Sequence, residues 1–270
     1  MRFHPLPTYA TLNEIAGRPR RVIQYELIPL CCGYVVDHPV GAFLYRTDAG
    51  PRRIDAPCIA WLLRTEGRTL LVDTGPGPRA TAPQHYRPKD PDDLLPLELA
   101  RHNVDPLAID TVILTHLHND HVGGAAHFPN ATFHVQLQEL REAVWPVPFQ
   151  RPIYEINRPG HTPAWTRILD RIHALDGETH LLPGITAIPL PGHTSGSQGV
   201  LVGTAAGPHL LPGDLVPLRE NWPAPPATPI PNGNHTDLYA YERSFRRLAA
   251  LDAEVLPSHD PCVFHRPSYP

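Results

Sequence analysis

The alternation of apolar and polar positions predicts strands that are interleaved with helices along the chain. Strand-like runs carry β-branched and large apolar residues and end at glycine, proline or aspartate. They lie at 22–36, 42–47, 59–64, 69–72, 111–114, 131–136, 180–182, 185–190, 199–202, 209–211 and 254–256. The run 111–114 is apolar throughout, which is typical of a strand covered on both faces.

Helical spacing is found between and after these strands. It predicts helices in 92–102 beyond Pro96, in 137–144, in 166–172 and from Leu238 onward, the last with Thr236 as its N-cap. Strands followed by helices, twice over, indicate two packed sheets with helices outside them. No repeat or linker divides residues 1–270, so the sequence predicts one α/β domain. It has an irregular arm at 1–20 and a proline-rich, aromatic insertion at 143–165.

Composition narrows the possible partners. A formal net charge of −4 leaves no basic surplus for a nucleic-acid backbone, so a small-molecule substrate is favoured. No apolar run approaches the roughly 20 residues of a membrane span. The first residues lack the charged segment followed by an apolar segment that is typical of a signal peptide, which predicts a cytoplasmic protein.

The four cysteines form no C-x-x-C pair and are interpreted as reduced. The adjacent Cys31 and Cys32 are either two buried side chains or a metal or redox pair.

Polar residues recur wherever one of the later apolar runs stops. Five histidines and two aspartates share this placement: His116, His118, Asp120, His121, His193, Asp214 and His259. Imidazole and carboxylate ligands suit a borderline-soft divalent ion such as zinc, and no cysteine is offered at these points. Seven ligands are too many for one tetrahedral ion, so the sequence predicts two ions. The first would bind His116, His118 and His193, the second Asp120, His121 and His259, and Asp214 would bridge them.

The run H-x-H-x-D-H, with the three later ligands following in order, resembles the metallo-β-lactamase superfamily over roughly 59–260. The resemblance implies a four-layer αββα sandwich. Asp73 in LLVDTG sits where the family keeps an aspartate that supports a ligand, although Asp before Gly is also ordinary turn chemistry. THLHNDHVGG, PGHTSGSQ and SHD are most similar to the dinuclear, quorum-quenching N-acyl-homoserine lactone lactonases. A homodimer is a further expectation from that group.

The resemblance implies hydrolysis by a hydroxide shared between two divalent ions. Zinc is expected, with iron, manganese and cobalt as alternatives. The hydroxide would attack a lactone carbonyl, and Asp120 would pass the released proton to the leaving alkoxide. A hydrophobic part of the substrate is expected against aromatic residues, unless these only pin the loops to the core: Trp145, Phe149, Tyr154 and Trp222.

One departure from the lactonase pattern leaves the substrate open. A tyrosine that contacts the substrate carbonyl commonly lies three residues after the bridging aspartate, where this chain has Pro217. Either Tyr34, Tyr154 or a nearby histidine replaces it, or the substrate is a thioester, another ester or an amide. A glutathione-type glyoxalase and a nuclease fit less well. A metal-holding binding protein without turnover is the alternative outside the enzymes.

Overall fold

The computed structural model describes residues 23–78, 86–87, 94–156, 159–225 and 227–270, and the predicted arm at 1–20 lies outside them. The strands of this part are β1 Glu26–Pro39, β2 Arg53–Thr65, β3 Arg68–Val72, β4 Tyr86–Arg87, β5 Thr111–Ile113, β6 Thr132–Gln136, β7 Ile172–Leu175, β8 Thr179–Leu182, β9 Ile185–Pro189, β10 Gln198–Thr204, β11 Gly207–Leu211 and β12 Glu254–Val255. The α-helices are α1 Leu94–Arg101, α2 Asn119–Val122, α3 Leu137–Val144 and α4 Leu238–Ala249. No helix among the described residues is long and apolar enough to span a bilayer.

The strands form two sheets. The first has the order β4-β1-β2-β3-β5-β6-β7, and the second has the order β12-β11-β10-β9-β8. In the first sheet β3, β5, β6 and β7 pair in parallel. In the second sheet β9, β10 and β11 are antiparallel in turn, and β12 is parallel to β11. The strands β9, β11 and β12 therefore point the same way.

Alternate side chains of each central strand enter different cores, as the two-residue period of a strand requires. Leu62 of β2 packs into the core that contains Leu99 of α1, whereas its neighbour Trp61 packs into the core between the sheets. In the second sheet Leu211 of β11 faces the first sheet, and Leu210 faces the core that contains α4. The layers are thus helix, sheet, sheet and helix, which confirms the predicted four-layer αββα sandwich.

The predicted strand at 42–47 is wrong. The chain forms a 3-10 turn at Val40–Ala42 and further turns after it. Phe43 and Leu44 are apolar because they pack into a small cluster with Val35 of β1 and Leu218, not because they pair in a sheet.

Three helix predictions also need correction. The segment 166–172 is a 3-10 helix, Ala164–Arg171, followed directly by β7, which the sequence analysis missed. Helix α1 begins before Pro96, which is tolerated because a backbone N–H in the first turn has no partner within the helix. The N-cap of α4 is Asp237, whose carboxylate accepts hydrogen bonds from the backbone N–H groups of the next turn at 2.8 and 3.0 Å. The hydroxyl of Thr236 donates instead to the Gly192 carbonyl.

Candidate metal centre

The seven predicted ligands come together at one edge of the two sheets. The strands β3, β5, β9, β11 and β12 each end shortly before a polar residue of the centre: Asp73, His116, His193, Asp214 and His259, respectively. Because these strands run in one direction within each sheet, their carboxyl ends share an edge. The topology therefore converts five separate stretches of sequence into one site.

Part of the segment that follows β5 is helical. Asn119–Val122 forms the single turn α2, and the carbonyl of His118 accepts hydrogen bonds from the N–H groups of His121 and Val122 at 3.0 and 3.1 Å. The backbone at Gly123 has an ordinary helical conformation. A Cβ atom there would overlap the backbone of Pro76, so glycine is needed because the loop after Asp73 approaches closely.

The candidate ligand atoms fall into two groups, and Asp214, predicted as a bridge, is grouped with the second. The first cluster is His116, His118 and His193; the second cluster is Asp120, His121, Asp214 and His259; within each cluster the atoms lie within 4.8 Å of one another. Asp214 faces both. Its Oδ1 lies 3.2 Å from the Nε2 atoms of His121 and His259, and its Oδ2 lies 3.5 Å from Nε2 of His193.

The donor atoms fit two divalent cations. Nε2 of His116 and Nε2 of His118 are buried without a hydrogen-bond partner among the described residues. Buried polar atoms left in this way cost free energy unless a ligand satisfies them. Neither cluster contains a cysteine, and neutral imidazole with carboxylate is the set that suits zinc, iron, manganese or cobalt.

The Nδ1 atoms of three imidazoles in the two clusters are held by hydrogen bonds. Nδ1 of His121 lies 2.8 Å from Oδ2 of Asp73, Nδ1 of His193 lies 2.7 Å from the Asn234 carbonyl, and Nδ1 of His259 lies 2.8 Å from the Pro57 carbonyl. Each carbonyl requires a proton on Nδ1, which leaves the Nε2 lone pair for a metal ion. These contacts orient the rings before any ion binds.

Asp73 does more than form a turn. Its carboxylate accepts hydrogen bonds from the N–H and the hydroxyl of Thr115, both at 2.7 Å, in addition to its contact with His121. Its φ of 60° is in the left-handed region, which non-glycine residues seldom adopt. This backbone strain persists because the carboxylate is anchored at three points.

The two clusters differ in protonation. Burial lowers the pKa of each imidazole in the first cluster, so these rings are neutral near pH 7. Burial acts in the same direction on His121 and His259, but nearby carboxylates, above all Asp214, outweigh it and raise the pKa of both. Burial alone would raise the pKa of Asp214, yet His259 and His121 hold it well below its usual range. Without metal ions, the second cluster is an ion-paired network.

Glu139 is a further residue of the centre that the sequence analysis missed. It is fully buried on α3, and its carboxylate accepts hydrogen bonds from the Leu117 N–H at 2.9 Å, the Tyr154 hydroxyl at 2.9 Å and the Thr194 hydroxyl at 2.6 Å. Burial raises the pKa of Glu139 to about 7. The signal in the sequence was its spacing of four residues from Ala143, which places a charged residue on the buried face of the helix.

A cavity of about 640 Å³ opens in front of the clusters. Its apolar wall includes Val35, Phe43 and Ile153, and the Phe43 ring lies 5.6 Å from the ring of His259. Phe43 was not among the predicted site residues, because its segment was predicted to be a strand. Tyr34 is adjacent to Val35 on β1, and neighbouring side chains of a strand point to opposite faces, so Tyr34 points away from the cavity.

The aromatic residues predicted to contact substrate lie elsewhere. Trp145 and Phe149 are 81% and 71% exposed and do not line the cavity. Tyr154 is buried beside the His118 ring, and its hydroxyl is bound to Glu139. Trp222 packs against the Phe245 ring at 5.5 Å and lines a different cavity. The composition of the insertion shows that it is aromatic but not which way its rings point, and only Ile153 of its described residues lines the metal cavity.

Comparison with known proteins shows the superfamily to which the chain belongs. Residues 53–259 match the metallo-beta-lactamase superfamily, and the chain belongs to that superfamily. An N-acyl homoserine lactonase from a Bacillus species is 29% identical over 195 residues, 70% of this chain and 69% of the relative. The chain also matches two probable mycobacterial metallo-hydrolases, and the match covers about half of their length, 52% of each.

Solved structures share the fold. An N-acyl homoserine lactone hydrolase, with the product N-hexanoyl-L-homoserine at its catalytic metal centre, superposes with a TM-score of 0.70 at 22% identity, covering 90% of this chain and 96% of the other. The dizinc quorum-quenching lactonase AidC gives a TM-score of 0.68 at 20% identity, covering 90% of each chain. The fold is therefore that of the metallo-beta-lactamases.

Proposed function

We propose that this protein is a dinuclear metal-dependent hydrolase that opens a lactone of the N-acyl homoserine type or a similar one. The observation that carries the proposal is the position of Asp214, whose two oxygens face the two clusters at 3.2 and 3.5 Å. A carboxylate placed in this way suits a pair of ions. Divalent ions bound there would lower the pKa of a water to about 7 and would act as a Lewis acid for the carbonyl oxygen.

Other residues of the cavity would transfer the proton and contact the acyl group. Asp120 belongs to the second cluster and also lines the cavity, so its carboxylate is placed to take a proton and return it to a leaving alkoxide. The apolar wall with Val35, Phe43 and Ile153 offers contact to an acyl group and excludes water from it. Relatives named as N-acyl homoserine lactonases and the dizinc lactonase AidC support both the substrate class and zinc. Opening such lactones would be a quorum-quenching activity.

A second candidate is hydrolysis of a thioester, another ester or an amide at the same centre. Pro217 favours it, because this buried residue offers no hydroxyl and its carbonyl accepts the backbone N–H of His259 at 2.9 Å. The hydroxyl of Tyr154 is already bound to Glu139. A substrate that needs no phenol at its carbonyl would suit this arrangement.

A substrate panel with metal analysis tests the proposal. The zinc-loaded protein is assayed on N-acyl homoserine lactones, simple γ-lactones and thioesters, and its metal content is measured. We expect lactone opening by the wild type. H116A and D214N should lose bound metal, and their rate of lactone opening should fall by more than about 100-fold, which is the loss seen when only a residue that supports a ligand is removed. H265A, which changes an exposed histidine, is the matched control. Turnover of thioesters alone would favour the second candidate, and full activity of chelator-treated H116A would refute both.

A further inference from the structure

One side of the metal cavity is formed by the wall segment, residues 40–47. The Phe43 carbonyl accepts a hydrogen bond from the Asn221 side chain at 2.7 Å, and the Tyr45 N–H donates to the Pro231 carbonyl at 2.8 Å. Gly233 lies so close to the Ala42 backbone that a Cβ atom would overlap it. The wall segment is therefore held against the rest of the cavity and can present side chains in defined positions.

The cavity lining has a distinctive charge distribution. Its carboxylates are Asp120 and Asp214, and both belong to the second cluster. Arg46 of the wall segment lines the same cavity, and no described carboxylate lies within 4.0 Å of its guanidinium. The nearby Arg52 and Arg53, in contrast, are each paired with a carboxylate at 2.5 Å. The positive charge of Arg46 is thus left available to a ligand.

The conformation of Arg46 is also unusual. Its φ of 54° is in the left-handed region, and such strain in a non-glycine residue is found preferentially at ligand-binding sites. Its guanidinium carbon lies 5.5 Å from the centre of the Tyr45 ring. A cation–π contact of this kind restrains the guanidinium while its N–H donors stay free for an oxyanion.

We propose that Arg46 is a specificity residue that binds a carboxylate on the part of the substrate remote from the scissile bond. The preferred substrates would then be lactones whose acyl chain ends in a carboxylate, which the planar guanidinium can bind through two parallel hydrogen bonds. The apolar side chains of Val35, Phe43 and Ile153 would contact the methylene groups in between. This assignment rests on the proposed hydrolase function.

The test compares N-adipoyl homoserine lactone with its terminal amide, which has nearly the same shape but no charge. For the zinc-loaded wild type we expect kcat/KM to be about 3- to 5-fold higher for the carboxylate, the upper part of the range for an ion pair at an exposed position. R46Q should reduce this preference below about twofold and R46K should retain part of it. Because Arg46 is exposed, high salt should weaken the preference in the wild type.

A binding measurement keeps this inference separate from the hydrolase proposal. Calorimetry on the zinc-loaded protein compares the ring-opened N-adipoyl homoserine with its terminal amide, and needs no turnover. R243Q, which changes an exposed arginine on α4, is the control. It should leave the preference for the carboxylate over the amide unchanged, both in kcat/KM and in binding. If wild type and R46Q prefer the carboxylate over the amide to the same extent, the proposed role of Arg46 is wrong. A preference in binding without opening of either lactone supports Arg46 and refutes the lactonase proposal.

Discussion

Replacing Glu139 with glutamine should change how the stability of the metal-free protein depends on pH. The pKa of Glu139 is raised from 4.5 to about 7 because the carboxyl group is buried. A raised pKa means that the folded state favours the protonated form, so this group contributes most stability below about pH 4.5 and loses it as the pH rises through 7. Each pKa unit corresponds to about 1.4 kcal/mol, so ionisation of Glu139 costs the fold about 3 kcal/mol in all.

Glutamine keeps the shape and removes the titration. Its oxygen can still accept the hydrogen bonds from Leu117 and Tyr154, and its amide can donate to the Thr194 hydroxyl, which also accepts. Between pH 5 and pH 8 the free energy of unfolding of the variant should therefore rise relative to wild type by about 2 to 3 kcal/mol.

Urea denaturation of metal-free protein at both pH values measures this difference, and the titrations of other groups cancel in it. D170N, a change at an exposed carboxylate of the 3-10 helix Ala164–Arg171, is the control. A difference between wild type and E139Q that stays constant with pH would refute the reasoning.

Two further predictions concern the surroundings of the centre. D73N should weaken metal binding by about 10- to 100-fold, because an amide that faces Nδ1 of His121 no longer favours the tautomer whose Nε2 can bind a metal ion. Competition with a chelator measures the metal affinity. D110N, which changes an exposed carboxylate, is the control. F43L should raise KM for long acyl chains several-fold because Phe43 lines the cavity beside His259, whereas F149A should leave KM within about twofold because Phe149 is exposed. Equal effects of F43L and F149A in steady-state kinetics would contradict the cavity assignment.

The residues that form the two candidate metal clusters could be found from the sequence because each polar group directly follows an apolar strand. A strand end is a local signal, and parallel strands bring their ends together in space. The same local logic predicted two packed sheets with helices outside them from the order of strands and helices, and the family resemblance implied the four layers. The structure brings together His193 and His259, which lie 66 positions apart along the chain.

The parts that sequence reasoning missed depend on tertiary contacts. Phe43 and its neighbours have the composition of a strand, but their partners are Leu218 and Asn221, far along the chain, so no local pattern distinguishes a wall from a strand. Glu139 is polar, and nothing near it in the sequence shows that three donors converge on it. Trp145 was assigned to the substrate by its chemistry, whereas its orientation is decided by where α3 ends.

The two clusters also differ in how folding prepares them for metal ions. In the first cluster, burial lowers the pKa of the imidazoles, so these ligands are already in the neutral form that binds metal. In the second cluster, Asp214 raises the pKa of His121 and His259, and the resulting ion pairs compensate the buried carboxylates when no metal is bound. An ion entering the second cluster must displace protons from these imidazoles, whereas an ion entering the first need not. The same carboxylate thus keeps the metal-free site electrostatically balanced and, through its other oxygen, faces the first cluster.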